Sequence, residues 1–245
     1  MGIRRGSIST PIIADGLVLN FDPANRASYP AQRTFATAES GSCYNTLDLS
    51  QSGSFISDPQ FITQPVSASC WQFDGVDDSI DTVVPTQPLY HLSVWFTRTG
   101  GITSSLDPDG TITLLGYGES GTLTGIWFGG FSSLPDDETI TLYQNVQELD
   151  YLTYIRDTGD SNFHNLTINW NGTQYDMYLD GTSRTTYTGS IGHLAQFDIN
   201  HIYLGRSNNS EYHHTGKISS IQLYNKSLST QEVLHNYNAL KGRFS

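Results

Sequence analysis

Charge is scarce in this sequence, and positive charge is scarcest: 15% of the 245 residues are charged, with 12 Lys and Arg against 24 Asp and Glu. A net charge of −12 repels phosphate backbones and anionic lipid, which argues against a nucleic-acid or membrane partner. The polar surface must therefore be built mostly from Ser, Thr, Asn, Gln, Tyr and Gly. Such surfaces are common on extracellular, sugar-binding and virion proteins. Cysteine is nearly missing. Cys43 and Cys70 read as small buried hydrophobes rather than as a cross-link, since spacing alone does not supply disulfide geometry. A chain of this length buries about 70–75% of its unfolded surface, so neither a disulfide nor a metal is needed to hold it together. No apolar run is long enough to span a membrane. The opening Met1-Gly2-Ile3-Arg4-Arg5-Gly6 lacks the apolar run of a signal peptide, and Gly6 stands where myristoylation needs Ser or Thr.

Short strand patterns are what the sequence has in quantity. Leu17–Asp22, Trp71–Asp74, Leu92–Arg98, Thr111–Leu115, Gly125–Phe128 and Thr139–Tyr143 each read as a strand bounded by turn residues. Asn165–Trp170 and Gln174–Leu179 flank Asn171-Gly172, and Asp180-Gly181 follows at once; both dipeptides are strong hairpin signals. His201–Gly205 and Lys217–Tyr224 complete the set. Many short strands in one unbroken composition predict a single all-β sandwich or barrel. Residues 27–65, rich in Ser, Thr, Ala, Gln and Pro, read as mostly surface loop with one short strand. One helix is expected over 229–240. Ser229 and Glu232 have capping-box spacing, Val233, Leu234, Tyr237 and Leu240 form an apolar stripe, and Gly242 stops it.

Several segments, in order, resemble the concanavalin A-like lectin/glucanase superfamily, in its laminin-G-like and pentraxin-like branch. They are Gly16–Asp22, Phe73–Ile80, Leu92–Phe96, Tyr178–Gly181, Ile202–Arg206 and Gly216–Asn225. The closing stretch Leu228–Phe244, and the opening from Arg4 to Arg26, are similar to structural proteins of tailed phages, marine and cyanobacterial ones above all. The resemblance implies an antiparallel two-sheet jelly roll over 15–245 with a short C-terminal helix, preceded by an N-terminal docking arm at 1–14. It further implies a non-enzymatic virion protein displayed on the particle, as a capsid decoration or spike subunit. The alternative is a tail-fibre or knob module that recognises host surface glycans. Other virion proteins would be its partners, and particle symmetry favours a homo-oligomer. Such a protein assembles in the host cytoplasm and leaves by lysis, a route that needs no signal peptide and keeps thiols reduced.

Candidate sites follow from residue chemistry. Glucanases on this fold resemble a Glu-x-Asp-x-Glu strand, and it is absent here; the six glutamates are scattered, so a glycan-active hydrolase is a remote reading. A bound calcium, common in the relatives, would need an oxygen-rich loop. Asp74, Asp77 and Asp78 offer the better set, and Asp107 and Asp109 a second; the competing reading is plain turn capping. His213 and His214, with His201 or Glu211, have metal-ligand chemistry but read first as a solvated loop. Aromatic faces stack on sugar rings. Tyr117, Tyr151, Tyr154, Tyr187 and Tyr212, set near loops, are the carbohydrate candidates, while the four tryptophans sit in strand patterns and read as core. Arg4 and Arg5 form a positive spot on an acidic chain and suit docking against an acidic neighbour. Sequons at Asn165, Asn171, Asn208 and Asn225 read as chance in an Asn- and Thr-rich chain.

Overall fold

The computed structural model of the chain describes residues 11–30, 41–63, 68–88, 90–98, 112–117, 124–128, 139–144, 151–156, 160–170, 175–187, 198–207 and 212–244. In chain order the strands are β1 (Leu17–Phe21), β2 (Ser42–Tyr44), β3 (Ser52–Ile56), β4 (Gln60–Ile62), β5 (Cys70–Asp74), β6 (Ser79–Pro88), β7 (His91–Arg98) and β8 (Ile112–Tyr117). They continue as β9 (Thr124–Phe128), β10 (Thr139–Gln144), β11 (Tyr151–Arg156), β12 (His164–Trp170), β13 (Tyr175–Leu179), β14 (Thr182–Tyr187), β15 (Asp198–Leu204) and β16 (Thr215–Tyr224), then helix α1 (Thr230–Lys241). Two eight-stranded antiparallel sheets result. The first runs β14-β13-β12-β7-β16-β5-β4, with β1 also paired to β16; the second runs β11-β10-β9-β8-β15-β6-β3-β2.

Period-two alternation makes them a sandwich. Leu92, Val94 and Phe96 of β7, with Leu166, Ile168, Ile218 and Ile221, face Ile80, Leu114, Leu115, Ile202 and Leu204 of the second sheet in one buried cluster. Each such side chain contributes roughly 1.5–3 kcal/mol on burial. Cys43 and Cys70 are buried and unpaired, on different sheets. Burial pushes their thiols up to about 12 and about 11, so both are inert packing groups.

The outer face of the first sheet is also covered, and it is polar. His91, Ser93, Thr97, Asn165, Thr167, Asn169 and Gln222 are all buried there. They are bonded largely to one another: Asn165 Nδ2 donates to Ser93 Oγ (3.0 Å), and Thr167 Oγ1 to Asn165 Oδ1 (3.2 Å). Helix α1 and the segment before it form the lid. Its capping box is present as the sequence predicts. The apolar stripe is not the whole docking face: Val233 and Asn236 are buried, and Leu234 is exposed. The reason lies opposite, since a polar sheet face is better met by an amide than by a leucine. Asn236 Oδ1 accepts from Ile13 N (2.8 Å), and its Nδ2 donates to Tyr224 Oη (2.9 Å), which donates to Ile13 O (2.8 Å). Residues 11–13 are thus strapped along the C-terminal helix, with His235 Nε2 bonded to Pro11 O. Arg243 closes the tail with a bidentate pair to Asp22 (2.7 and 2.9 Å).

Residues 27–65 hold three strands, β2, β3 and β4, where one was expected. They are three to five residues long, and each sends few apolar side chains inward, too few to print a readable alternation. Pairing with β5 and β6 carries them instead. Gly53 is needed at this contact, because a Cβ there would stand 2.8 Å from both Cys43 Sγ and Ile80.

Candidate functional site

Pairing runs unbroken across the second sheet. Ser42 faces Ser54, Ser54 faces Asp81, Asp81 faces Tyr203, and Tyr203 faces Gly116. Gly116 faces Gly125, Gly125 faces Tyr143, and Tyr143 faces Tyr151. The adjacent row contains Ile80, Leu204 and Leu115, which lie in the core. Successive residues alternate sides, so the tyrosine row belongs to the face turned away from the core. The next row on that face runs Thr113, Trp127, Thr141, Tyr154. By register, five aromatic positions therefore flank two adjacent glycines, of which Gly116 is buried; the side chains of Trp127 and Tyr143 lie outside the described residues.

One wall of this face is rigid. His201 stacks on Tyr203 with centroids 6.0 Å apart and planes 9° off parallel, and the Arg206 guanidinium lies over the Tyr203 ring at 4.3 Å. Arg206 is held by Asp81 (Nε to Oδ1, 3.1 Å), Ser79 Oγ (3.2 Å) and Ser207 O (3.0 Å). Burial raises the Tyr203 hydroxyl, keeping it a neutral donor.

The five predicted tyrosines do not gather in one place. Tyr151 and Tyr154 lie in the rows just described. Tyr117 pairs with core-facing Ile202, and Tyr187 with Tyr175 in the other sheet. The side chains of these four lie outside the described residues. Tyr212, half-buried with φ 58°, lies just ahead of β16. Tyr143, Tyr203 and Trp127 were missed. Strand patterns place an aromatic in a sheet without saying which face it takes; the signal that could have found them is the glycine at 116 and at 125. Arg4, Arg5, Asp107 and Asp109 lie outside the described residues.

Asp74, Asp77 and Asp78 do converge, with one carboxylate oxygen from each inside a 4.8 Å group. Part of their role is structural. Asp78 accepts from Asp58 N (2.9 Å) and Asp74 N (3.0 Å), and Asp74 Oδ1 accepts from Val76 N. Burial, then the Asp74 and Asp77 charges, raise the Asp78 carboxyl, a repulsion that a hard cation would relieve. Asp77 and the second Asp74 oxygen remain, which is part of the roughly six to eight oxygens that calcium takes. Millimolar calcium is expected to raise the unfolding temperature by about 3 °C or more over EDTA. D77N should abolish that rise without changing the EDTA value; a flat response in the wild type would leave the loop a capped turn. The histidine alternative fails on burial: His214 is buried and bonds Thr97 O (3.1 Å). Among the described residues the aspartates are the one group of three potential ligands.

A second concavity, of about 480 Å³, lies at the C-terminal end of α1, lined by Trp95, Phe163, Tyr237, Asn238, Lys241 and Phe244. Phe244 stacks on Trp95 at 4.3 Å, and Tyr237 at 5.6 Å. Beside it the β13–β14 turn, with positive φ at Asp180 and Gly181, aims Asp180 at His164 (2.7 Å); Asp160 bonds the other ring nitrogen (3.0 Å). Those carboxylates, Asp180 first, lift His164 to about 9.

Comparison with known proteins agrees with the two-sheet fold. Residues 92–234 match a family model described as the concanavalin A-like lectin/glucanases superfamily. The chain belongs to this superfamily. No curated protein matches it in sequence. Among solved structures it is similar to Trypanosoma rangeli sialidase in complex with 2,3-difluoro-KDN, with a TM-score of 0.65 and 14% identity, over 96% of this chain and 34% of that one. It is also similar to the receptor binding domain of botulinum neurotoxin C/D mosaic serotype, with a TM-score of 0.65 and 12% identity over 92% of this chain and 51% of that one. The botulinum neurotoxin serotype D binding domain gives 0.64 and 13%, over 91% and 51%. The superfamily domain thus spans about a third of the sialidase and half of the toxin domains, and the likeness is one of fold.

Proposed function

We propose that this chain is a non-catalytic lectin-type module displayed on a tailed-phage particle, and that the aromatic face of its second sheet binds glycans of the host surface. One observation carries the reading: the register sets tyrosine and tryptophan positions around a glycine pair on the face away from the core. Aromatic rings and hydroxyls at one place are the chemistry that holds a sugar. The non-catalytic part of the reading rests on the sequence, which lacks the Glu-x-Asp-x-Glu strand of the glucanases. The toxin relatives are described as receptor binding, which agrees with such a role. Display is supported by the strap: residues 11–13 lie along α1, the helix that covers the outer face of the first sheet, so residues 1–10, with Arg4 and Arg5, would reach a capsid or tail protein from that side. On an array of host envelope polysaccharides the chain is expected to bind, and W127A to weaken binding at least about tenfold at unchanged unfolding temperature. Phage carrying a chain without residues 1–10 should lack the protein. Retention on particles without glycan binding would leave a pure decoration subunit; absence of the wild-type chain from particles would remove the virion setting.

A further inference from the structure

We infer that the concavity at the C-terminal end of α1 is a binding site for the ring of a neutral sugar. It lies against the first sheet, away from the aromatic rows of the second, and so goes beyond the glycan reading above without resting on it.

Aromatic rings build its floor. Trp95 of β7 lies under the helix and is only 2% exposed. Phe244 and Tyr237 both stack on it, with planes 18° and 8° off parallel. Phe163 leans on Phe244 at 4.9 Å. Phe163, Tyr237 and Phe244 are half-buried, so part of each ring stays open to a ligand. The walls are held in place. A Cβ at Gly181 would stand 2.7 Å from the Tyr237 ring, so the β13–β14 turn sits directly against it. The two aspartates on His164 fix the backbone next to Phe163.

Polar groups stand around these rings. Asn238 and Lys241, neighbours on one side of α1, are exposed and line the concavity together with Asp180. The Asp180 oxygens accept from His164 and from Asn165 N, and each keeps a lone pair for a further donor. Trp95 also lines the concavity, and its Nε1–H is buried with no acceptor among the described residues. A hydroxyl seated beside the indole would supply one. Charge narrows the class of ligand. Both His164 ring nitrogens meet a carboxylate, so the ring holds both protons and is cationic. With Asp160 and Asp180 it sums to one negative charge, Lys241 brings one positive charge, and Arg243 is paired with Asp22. No net charge is left to select a phosphate or a polyamine. Open ring faces with donors and acceptors around them suit a sugar. The volume of about 480 Å³ falls within the roughly 300–1,000 Å³ of small-molecule sites. The strap leaves the concavity clear, since residues 11–13 run into β1 on the β16 side of the sheet, and Phe163 and Asp180 flank β12 and β13 on the other.

The test is nuclear magnetic resonance on the full chain, whose four tryptophans give separate indole N–H signals. The Trp95 signal is assigned by its cross-peaks to the stacked Tyr237 and Phe244 rings, and the Trp127 signal by its loss in W127F. Methyl glycosides of glucose, galactose, mannose and N-acetylglucosamine are titrated to about 50 mM, enough to detect a Kd near 10 mM. At least one should shift the Trp95 signal saturably, and W127A should leave that shift in place. N238A/K241A, which changes two exposed positions, should weaken it at least about fivefold, with the near-ultraviolet circular dichroism of the parent. An unchanged Trp95 titration in that variant overturns the site. A sugar that shifts Trp127 alone also overturns it and leaves the second-sheet reading standing. A shift at Trp95 alone supports it and counts against the second sheet. If p-cresol, a ring without a sugar's hydroxyls, shifts Trp95 and no sugar does, the concavity takes an aromatic side chain and the sugar inference falls. No shift at Trp95 with any titrant overturns it outright.

Discussion

Replacing Asn169 by Leu is expected to lower the unfolding temperature by about 6–12 °C, which corresponds to about 3 kcal/mol in a chain of this size. Asn169 sits on β12 under the lid and holds three elements at once. Its Oδ1 accepts from Leu228 N (2.9 Å), and its Nδ2 donates to Leu228 O (2.9 Å), fixing the amide orientation. Oδ1 also meets His91 Nδ1 at 3.0 Å and Ser227 Oγ at 3.3 Å. Leucine matches the volume but leaves the Leu228 backbone groups and His91 Nδ1 buried without these partners. Each orphan costs about 1–3 kcal/mol. N238A, on the exposed side of α1, is the control and should fall within about 0.5 kcal/mol of the parent. Thermal melts of the pair decide the matter: equal curves would mean that the polar layer does not anchor the helix.

The second large effect is on acid stability. His91 donates Nδ1–H to an amide oxygen already fixed by Leu228, so it is neutral with its proton on Nδ1. Burial pushes it down to about 4, and burial does the same to His214. Both titrate near 6.5 when unfolded. Between pH 6.5 and 4 the unfolded chain therefore binds up to two protons that the folded chain refuses, and stability falls as pH falls, by roughly 3 kcal/mol for each group across the window. His164 acts in the other direction. Its raised value contributes stability that is fully present below 6.5 and is lost as pH rises toward about 9. From these three groups, stability should peak near pH 6.5 and fall more steeply on the acid side. Urea unfolding from pH 4 to 9 measures it. H91F keeps a ring against Tyr224 and removes one proton site, so the slope between pH 4 and 6.5 should drop by about half. An unchanged slope would remove His91 from the account.

Much of the fold is legible in the residues. The alternation of Leu92–Arg98, the turn Asp180-Gly181 and the capping box at Ser229 each give a local physical instruction, and the sandwich and helix obey it. What alternation does not say is what lies beyond the second face of a sheet. Ser93, Thr167 and Asn169 look like solvent-facing residues in sequence, yet they are buried, because α1 returns to cover them. The same ambiguity hid the site. Trp127 and Trp95 occupy similar strand patterns. One falls in a row turned away from the core, and the other lies under the helix. Edge strands β2 and β4 escaped notice because pairing rather than packing defines them. The aspartate loop was visible because all its members lie within five residues.

The strap on α1 bears on how such a domain travels between genes. Residues 11–13 and α1 lie beside each other, joined through Asn236 and His235, so the first described segment and the closing helix are neighbours. A cassette of this kind can be spliced into a surface loop of an unrelated host protein with short joints and little distortion of the host. An unrelated protein can thereby acquire a ready-made sandwich by insertion as readily as by end-to-end fusion.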